Sequence, residues 1–243
     1  MKAGIVVFPG SNCDRDALHA ARLAGMEAEL LWHEDPDLRG SDLVVLPGGF
    51  AYGDYLRAGA LARFSPVMGA VRDHAERGGL VLGICNGFQV LAEAGLVPGA
   101  LLRNASLRFE HRWVRVSVER HDTPFTGAVP AGATLRMPIA HGEGCYFLPE
   151  GELDALEARA GVLFRYASPE GNPNGSARDI AGVTNERGNV CGLMPHPERA
   201  SERLLGSDDG MLLFRSMLEG ASVVATAPSA ASAPGRVPEL STR

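Results

Sequence analysis

The chain contains 243 residues, of which 45% are hydrophobic and 21% are charged, and its formal net charge is −6 at pH 7. These fractions are ordinary for a globular protein with a core of normal size. Nucleic acid is not expected as the main partner, because neutralising phosphates requires clustered Lys and Arg and the sequence contains no basic stripe.

The cysteine spacing and the apolar runs exclude further classes. Cys13, Cys85, Cys145 and Cys191 include no C-x-x-C spacing, so neither a zinc ribbon nor any other metal site is predicted. No run approaches the roughly 18 apolar residues of a transmembrane helix. The apolar run near the N-terminus is too short for a signal peptide. We therefore expect a cytoplasmic protein with no membrane partner.

Short strands and helices alternate along the first hundred residues. In chain order, the pattern predicts a strand over residues 3–8, a helix capped by Asn12 or Asp14 and ended by Gly25, strands over 27–32 and 43–46, a helix over 66–77, a strand over 80–84 and a helix over 86–94. Continuous apolar strands are typical of parallel sheets that are covered on both faces. The pattern predicts an α/β fold with an open, doubly wound, mostly parallel sheet and helices on both faces.

The second half of the sequence is richer in strands. In chain order, the pattern predicts a half-buried strand over residues 113–119, a helix over 152–160, strands over 162–166, 180–184 and 190–194, and a helix over 208–218. Residues 220–243 are rich in Ala, Ser and Pro and offer too little bulky apolar surface to offset the entropy lost on ordering. We expect one domain over residues 1–219 and a flexible tail over residues 220–243.

The strongest chemical signal lies in residues 79–89. A buried strand runs into Gly83, Cys85 and Gly87 in the spacing Gly-x-Cys-x-Gly, and a helix follows. This is the layout of a nucleophile elbow with sulfur in place of a serine hydroxyl. Glycines relieve crowding at a sharp turn, and a helix N-terminus favours a thiolate and a developing oxyanion. Alternatively, Cys85 is a small buried hydrophobe between packing glycines.

A His-Pro-Glu sequence near the end of the predicted domain supplies a candidate base. Pro197 favours an extended conformation for His196, and in an extended segment residues i and i+2 point the same way. The Glu198 carboxylate would therefore lie beside the His196 ring and orient it, which is the role of the third member of a catalytic triad. Alternatively, the pair is a solvated surface turn, and His141 is the one rival for the base.

These residues resemble those of the class I, triad-type glutamine amidotransferases. The resemblance spans residues 1 to about 218 and is carried by seven segments, at residues 8–14, 47–54, 83–89, 103–113, 138–144, 172–176 and 192–199. The elbow and the Pro-Gly-Gly loop fit the whole family. The segments at 103–113 and 172–176 resemble one branch, whose members pass ammonia to an ATP-dependent, amidine-forming synthase of purine biosynthesis.

The resemblance implies a flavodoxin-like, class I glutaminase fold and a catalytic triad of Cys85, His196 and Glu198. Cys85 would form a γ-glutamyl thioester with glutamine, His196 would act as acid and base, and Glu198 would hold His196. The backbone N–H groups of Gly49 and Asn86 would stabilise the oxyanion. The position of Gly49 agrees with this role, since it follows the strand predicted over residues 43–46, at the edge where open parallel sheets bind ligands.

Four further residues are candidates for contact with the glutamine substrate. Gln89 lies one helical turn beyond Cys85 and should face the same way. Asn104, Arg108 and His141 are weaker candidates. The Arg108 side chain would fit equally well in solvent or at a partner surface.

The resemblance also implies partners. We expect a synthase subunit that uses ATP and Mg²⁺, together with a small third subunit, and no cofactor on this chain, which contains no Gly-x-x-x-x-Gly-Lys-Ser/Thr loop. One rival function is a glutaminase that serves a different synthase, which the segments at 103–113 and 172–176 disfavour. The other is a non-enzymatic binding module on the same fold, which the intact triad disfavours.

Overall fold

The computed structural model describes the backbone of residues 1–224 and the side chains of residues 1–220. Its strands are β1 (Lys2–Val7), β2 (Glu27–Trp32), β3 (Leu43–Leu46), β4 (Leu80–Ile84), β5 (Ala100–Leu102), β6 (Glu110–Val118), β7 (Thr134–His141), β8 (Cys145–Phe147), β9 (Val162–Ala167), β10 (Ile180–Thr184) and β11 (Val190–Leu193). Its helices are α1 (Asp14–Leu23), α2 (Val67–Glu76), α3 (Asn86–Glu93), α4 (Glu150–Ala158) and α5 (Met211–Val224). No helix among the described residues has the length and apolarity needed to cross a bilayer.

Nine of the described strands form one sheet in the order β2-β1-β3-β4-β11-β10-β9-β6-β7. The first five strands in this order are parallel to their neighbours. The remaining four extend the sheet in antiparallel pairs. β5 and β8 form a separate antiparallel ladder. The predicted α/β class with a doubly wound sheet is confirmed, and its parallel part carries the candidate site.

The parallel part of the sheet is buried on both faces. Every residue of β3 and of β4 is buried, which accounts for their continuous apolar sequences. The connections from β1 to β2 and from β3 to β4 run in opposite directions along the sheet. Because crossovers between parallel strands are right-handed, α1 and α2 lie on opposite faces. The direction changes between β1 and β3, and ligands bind at such a switch point, beyond the carboxyl ends of the strands.

Two predictions about helix ends are wrong. The N-cap position of α1 is Cys13, and neither Asn12 nor Asp14 caps the helix through its side chain. Helix α5 runs over Met211–Val224 and so extends past the helix end predicted at residue 218. The division into a domain over residues 1–219 and a tail over residues 220–243 stays a prediction. Gly220 costs the helix about 1 kcal/mol relative to alanine, and the burial of Leu213, Phe214 and Met217 on the same helix provides packing that offsets this cost. The rest of the predicted tail, residues 225–243, lies outside the described residues.

Three strands were not predicted, namely β5, β7 and β8. In β7, the side chains of Leu135, Met137 and Ile139 are buried and alternate with more exposed ones, as in a half-buried strand. Pro138 in the middle of this segment argues against a strand, because proline lacks the N–H for a ladder hydrogen bond. β7 is an edge strand of the sheet, where proline is tolerated.

Candidate active site

Cys85 occupies a strained turn between β4 and α3. Its backbone φ is +50°, in the left-handed region that residues with a side chain rarely adopt. A Cβ on Gly83 would lie 2.5 Å from Leu91 Cδ1. A Cβ on Gly87 would overlap the carbonyl oxygen of Leu46. Both positions therefore require glycine, and the chain forms the elbow geometry that the spacing predicts.

The Cys85 thiol is buried at the N-terminus of α3, with 4% of the residue exposed. The Cys85 N–H donates to the carbonyl of Leu193 at 2.8 Å, which ties the elbow to the end of β11. The first N–H groups of a helix have no partner within the helix. Their partial positive charge at the start of α3 stabilises negative charge that develops beside Cys85 during a reaction.

His196 and Glu198 form a buried pair directly after β11. His196 Nδ1 lies 2.5 Å from Glu198 Oε1, and neither residue is more than 2% exposed. The His196 N–H donates to the carbonyl of Pro138 at 2.9 Å. The backbone is extended only at His196, and Pro197–Ala200 form a 3-10 turn, so the prediction of an extended segment is wrong and the turn places Glu198 beside His196. Within residues 1–220, His196 Nε2 has no hydrogen-bond partner. The burial excludes the alternative of a solvated surface turn and leaves Nε2 available for proton transfer.

Opposing effects set the pKa of His196. Burial lowers it, but the nearby Glu198 carboxylate and the sulfur atoms of Cys85 and Cys13 outweigh the burial, and the pKa lies well above its ordinary value of 6.5. The Glu198 carboxylate stabilises the protonated form of the His196 ring, as the third member of a triad does. The three residues of the predicted triad are therefore electrostatically coupled.

The two N–H groups predicted to hold the oxyanion belong to segments that are joined to each other. Asn86 Oδ1 accepts a hydrogen bond from the Ala51 N–H at 3.0 Å, so the loop after β3 is fixed to the first residue of α3. Gly49 has a φ of +139°, and a Cβ there would lie 2.7 Å from the backbone nitrogen of Asn12. In the described part of the chain, the Gly49 N–H donates no hydrogen bond. The oxyanion role of Gly49 and Asn86 stays a prediction.

A cavity of about 140 Å³ opens beside Cys85. It is lined by Gly49, Phe50, Asp54, Ala58, Cys85, Gln89, Phe109, Ala140, His141, Gly142 and Glu143. Of the four predicted substrate contacts, Gln89 and His141 line the cavity. The Gln89 amide is already engaged, since Nε2 donates to the carbonyl of Glu143 at 2.6 Å and Oε1 accepts from Asn86 Nδ2 at 2.9 Å. Gln89 therefore shapes the wall, with its oxygen and one of its two N–H donors engaged by the protein.

The other two predicted contacts do not line this cavity. Asn104 is fully buried behind it, where Nδ2 donates to the carbonyl of His141 at 2.9 Å and Oδ1 accepts from the Gly144 N–H at 3.0 Å. Arg108 has an exposed side chain, and its carbonyl accepts a hydrogen bond from Asn104. Burial and the charge of His196 lower the pKa of His141 to about 4, so its ring is neutral. In the structure, Asn104 positions His141, while Arg108 is exposed and does not line the cavity.

Cys13 lies next to the predicted triad, although no pattern in the sequence predicts a role for it. Its Sγ, a nitrogen of His196 and a carboxylate oxygen of Glu198 lie within 4.8 Å of one another. Arg199 Nη2 donates to Cys13 Sγ at 3.1 Å, and this cation would repel a metal ion. Burial raises the pKa of the Cys13 thiol. The cluster is therefore hydrogen-bonded and unsuited to a metal, and its only sequence signal is the segment at residues 8–14.

Two acidic side chains in the cavity wall also carried no predicted role. Asp54 Oδ1 accepts from Asn86 Nδ2 at 3.2 Å, and Glu143 Oε2 accepts from the Ala58 N–H at 3.1 Å. Burial and the negative charge of Glu143 raise the pKa of Asp54 to about 6. Both residues lie in segments that carry the family resemblance, at 47–54 and 138–144. Their place in these segments is the one sequence feature that could have pointed to the two side chains.

Comparisons with known proteins decide the family. Residues 1–210 match a family model described as the CobB/CobQ-like glutamine amidotransferase domain. The phosphoribosylformylglycinamidine synthase subunit PurQ of Rubrobacter xylanophilus is 61% identical over 223 residues, which cover 92% of this chain and 100% of the relative. The chain belongs to the PurQ family of glutamine amidotransferases. The resemblance predicted from the sequence is thereby confirmed.

Two further relatives support the same family assignment. PurQ of Gloeobacter violaceus is 56% identical over 231 residues, covering 92% of this chain and 100% of the relative. A chain in the structure of PurLQS from Thermotoga maritima has a TM-score of 0.82 and 48% identity, covering 90% of this chain and 98% of that one. The identities over nearly full length place the chain in the branch that the segments at 103–113 and 172–176 predicted. It is a glutamine amidotransferase of a family whose members are subunits of a purine-biosynthesis enzyme.

Proposed function

We propose that this chain is the glutaminase subunit of phosphoribosylformylglycinamidine synthase, hydrolysing L-glutamine at Cys85 and passing the ammonia to a synthase subunit. The observation that carries the proposal is the buried His196–Glu198 pair, with Nδ1 and Oε1 2.5 Å apart, at the same sheet edge as the Cys85 elbow. A thiol, an imidazole and an orienting carboxylate are the groups that acyl transfer from an amide requires.

The first half of the reaction forms a thioester. Cys85 Sγ attacks the δ-carbonyl carbon of glutamine, and the carbonyl electron pair moves to oxygen, where the N–H groups of Gly49 and Asn86 stabilise the charge. When the tetrahedral intermediate collapses, the C–N bond breaks and His196 gives its proton to the departing nitrogen. Ammonia leaves, and a γ-glutamyl group remains on Cys85.

The second half hydrolyses the thioester. His196, now neutral, removes a proton from water, and the oxygen attacks the thioester carbonyl. The C–S bond breaks, glutamate leaves, and the thiolate and the protonated His196 are restored. Glu198 keeps Nδ1 of the ring engaged in both halves, so that Nε2 faces the reacting atoms.

Amination of the acceptor belongs to a partner chain in this proposal. The similar Thermotoga maritima chain comes from a structure of PurLQS, which supports a synthase subunit as partner. We propose that the synthase subunit uses ATP and Mg²⁺ for amidine formation, that a small third subunit completes the complex, and that this chain carries no cofactor. A cytoplasmic location remains our prediction.

The loop over residues 50–57 is the candidate element through which the partner controls activity. Tyr52, Asp54 and Leu56 have positive φ values, and Tyr55 and Leu56 are 74% and 84% exposed. We propose that this strained loop has a second arrangement in the free chain, so that a partner that prefers the competent arrangement shifts the populations. We expect glutamate release by the free chain to be slow and to rise when the synthase subunit is added. Equal rates of glutamate release with and without the synthase subunit would rule out this control and would leave the proposed chemistry at Cys85 intact.

A covalent intermediate on Cys85 is the direct test of the proposed chemistry. The complex is mixed with glutamine, quenched in acid within the turnover time, digested and analysed by mass spectrometry. The peptide that contains Cys85 should gain one γ-glutamyl group, and the peptide that contains Cys13 should not. A γ-glutamyl group on Cys13, or on neither peptide during steady turnover, would contradict the assignment.

A further inference from the structure

The Glu198 carboxylate uses only one of its two oxygens. Oε1 lies 2.5 Å from His196 Nδ1, whereas Oε2 is buried and has no hydrogen-bond partner within residues 1–220. A buried polar atom without a partner is costly. A second donor would therefore lower the energy of the carboxylate, but it would also draw negative charge away from His196.

A strong donor lies close to this carboxylate and is bound elsewhere. Arg199 Nη2 donates to Cys13 Sγ at 3.1 Å, and Arg199 Nε donates to Asp16 Oδ2 at 3.2 Å. The charge of Glu198 reaches Arg199, yet the two side chains form no ion pair in the described part of the chain. A guanidinium group binds carboxylates strongly, whereas sulfur is a weak acceptor. The local geometry must therefore hold Arg199 on the sulfur.

The backbone fixes Cys13 beside both charged groups. Its N–H donates to the carbonyl of Gly48 at 3.3 Å, and its carbonyl accepts from the Ala17 N–H at 2.9 Å. Sγ lies within 4.8 Å of a carboxylate oxygen of Glu198 and of a ring nitrogen of His196. A Cβ on Gly48 would lie 3.2 Å from Sγ and 2.6 Å from His196 Cε1, so the thiol and the ring fill one tight corner.

We infer that Cys13 is a positioning residue that keeps the Arg199 guanidinium away from Glu198, so that the carboxylate serves His196 alone. The inference rests on the proposed function, because it concerns the base of the proposed reaction. Burial raises the pKa of the Cys13 thiol, so the sulfur is uncharged and does not replace Glu198 as the partner of the imidazolium. The neutral thiol accepts from the guanidinium and donates to Asn12 Oδ1 at 3.2 Å.

Removal of the sulfur should release the guanidinium. In Cys13→Ala, Arg199 Nη2 loses its acceptor and turns to Glu198 Oε2, and the imidazolium loses part of its stabilisation. For the assembled complex, we expect kcat with glutamine to fall about 10- to 100-fold with little change in KM, less than the roughly 10⁴-fold cost of losing a triad carboxylate. Cys13→Ser retains an acceptor and should stay within about threefold of the wild-type kcat. A wild-type kcat for Cys13→Ala would overturn the inference.

A second substitution separates this role from packing. Cys13→Ala combined with Arg199→Gln should recover most of the lost kcat, because no cation remains to turn to Glu198. Cys191→Ala is the matched control, since Cys191 is a fully buried thiol in β11 outside this cluster. It should leave kcat nearly unchanged, with or without Arg199→Gln. A double variant as slow as Cys13→Ala would overturn the inference.

The other anchor of the guanidinium gives a test that does not disturb a buried residue. The Asp16 side chain is 45% exposed, so Asp16→Ala should fold like the wild type. It frees Arg199 Nε and should lower kcat about threefold, and Arg199→Gln should again reverse the loss. A loss that persists in Asp16→Ala combined with Arg199→Gln would contradict the inference.

The hydrogen bond between His196 and Glu198 supplies a readout that does not depend on activity. In the free full-length chain, proton NMR should show a strongly downfield resonance for the proton on Nδ1, as expected for a short charge-assisted bond. This resonance should move upfield in Cys13→Ala and return when Arg199→Gln is added. An unchanged resonance in Cys13→Ala would contradict the inference whatever the activity. Failure of the proposed function has a different signature, namely the predicted resonance shifts but no glutamate release by the wild-type complex.

Discussion

Asn86 Oδ1 accepts a hydrogen bond from the Ala51 N–H at 3.0 Å, and this bond joins the helix of the nucleophile to the loop of the oxyanion glycine. The Nδ2 group of the same amide donates to Asp54 at 3.2 Å and to Gln89 at 2.9 Å. Asn86 thus contributes its backbone N–H to the predicted oxyanion site. Its side chain fixes the positions of Ala51, Asp54 and Gln89. A single buried amide fixes the helix that begins after Cys85, the loop that follows Gly49 and the Asp54 side chain relative to one another.

Asn86→Ala should therefore impair chemistry more than folding. The backbone N–H remains, but the loop that carries Gly49 loses its anchor, and displaced oxyanion donors cost about 10²–10³-fold in kcat when lost outright. We expect glutamine-dependent kcat of the complex to fall about 10- to 100-fold. Steady-state kinetics with glutamine test this, with ammonium-dependent synthesis as the control that must persist. An unchanged kcat would show that Ala51 and Asn86 do not set the oxyanion geometry.

The crowding around Gly87 in the elbow leads to a prediction about stability. Gly87→Ala places a Cβ against the carbonyl oxygen of Leu46, and overpacking of this kind costs about 1–3 kcal/mol or more. Gly69→Ala in α2 is the matched control, since a Cβ there meets nothing within 4 Å. The control should stabilise the chain by about 0.5–1 kcal/mol through helix propensity. Urea unfolding of the two variants should shift in opposite directions, and a shift in the same direction would contradict the crowding argument.

The His196–Glu198 pair should behave as a unit. We expect His196→Ala to lower glutamine-dependent kcat by about 10⁴-fold or more and Glu198→Gln by less, because the carboxylate only orients and stabilises the imidazolium. The double variant should be little worse than His196→Ala alone. Single-turnover kinetics of the three variants provide the measurement. Losses that simply multiply would show that the two residues act independently.

The raised pKa of Asp54 predicts that this residue lowers the free energy of unfolding at neutral pH. Its pKa is raised to about 6 in the folded chain, against about 3.9 when unfolded. The folded state therefore binds more protons between pH 4 and 6, and the free energy of unfolding falls as pH rises through this window. Asp54→Asn removes the effect. Allowing for partial exposure, we expect the variant to be more stable by about 1 kcal/mol at pH 7 and equally stable near pH 3.5.

Urea unfolding of the free chain at the two pH values tests this account of Asp54. Glu186 is an exposed acid outside the cavity that Asp54 lines, and Glu186→Gln should show no such pH-dependent gain in the free energy of unfolding. A wild-type chain that is more stable than Asp54→Asn at pH 7 would mean that the repulsion between Asp54 and Glu143 is already compensated in the free protein.

Some of this architecture follows from local sequence and some does not. The bounds of β2, β3 and β4 agree with the apolar runs because buried parallel strands are continuous in sequence. The elbow and the His-Pro-Glu segment are also local patterns, set by glycine sterics and by proline. The approach of Asp54 to Glu143 depends instead on how a strained loop meets the end of β7, and no short-range pattern encodes it. Cys13 reaches His196 for the same reason, through the packing of two strand ends.

The central claim is that amide hydrolysis occurs on this chain at Cys85 and that amination occurs on its partner. One complex, assembled with Cys85→Ala, tests it in two assays of amidine formation, one supplied with glutamine and one with ammonium. We predict that glutamine supports no detectable synthesis and that ammonium supports synthesis at the wild-type rate, since only the thiol nucleophile is missing. Wild-type synthesis from glutamine by the Cys85→Ala complex would contradict the account.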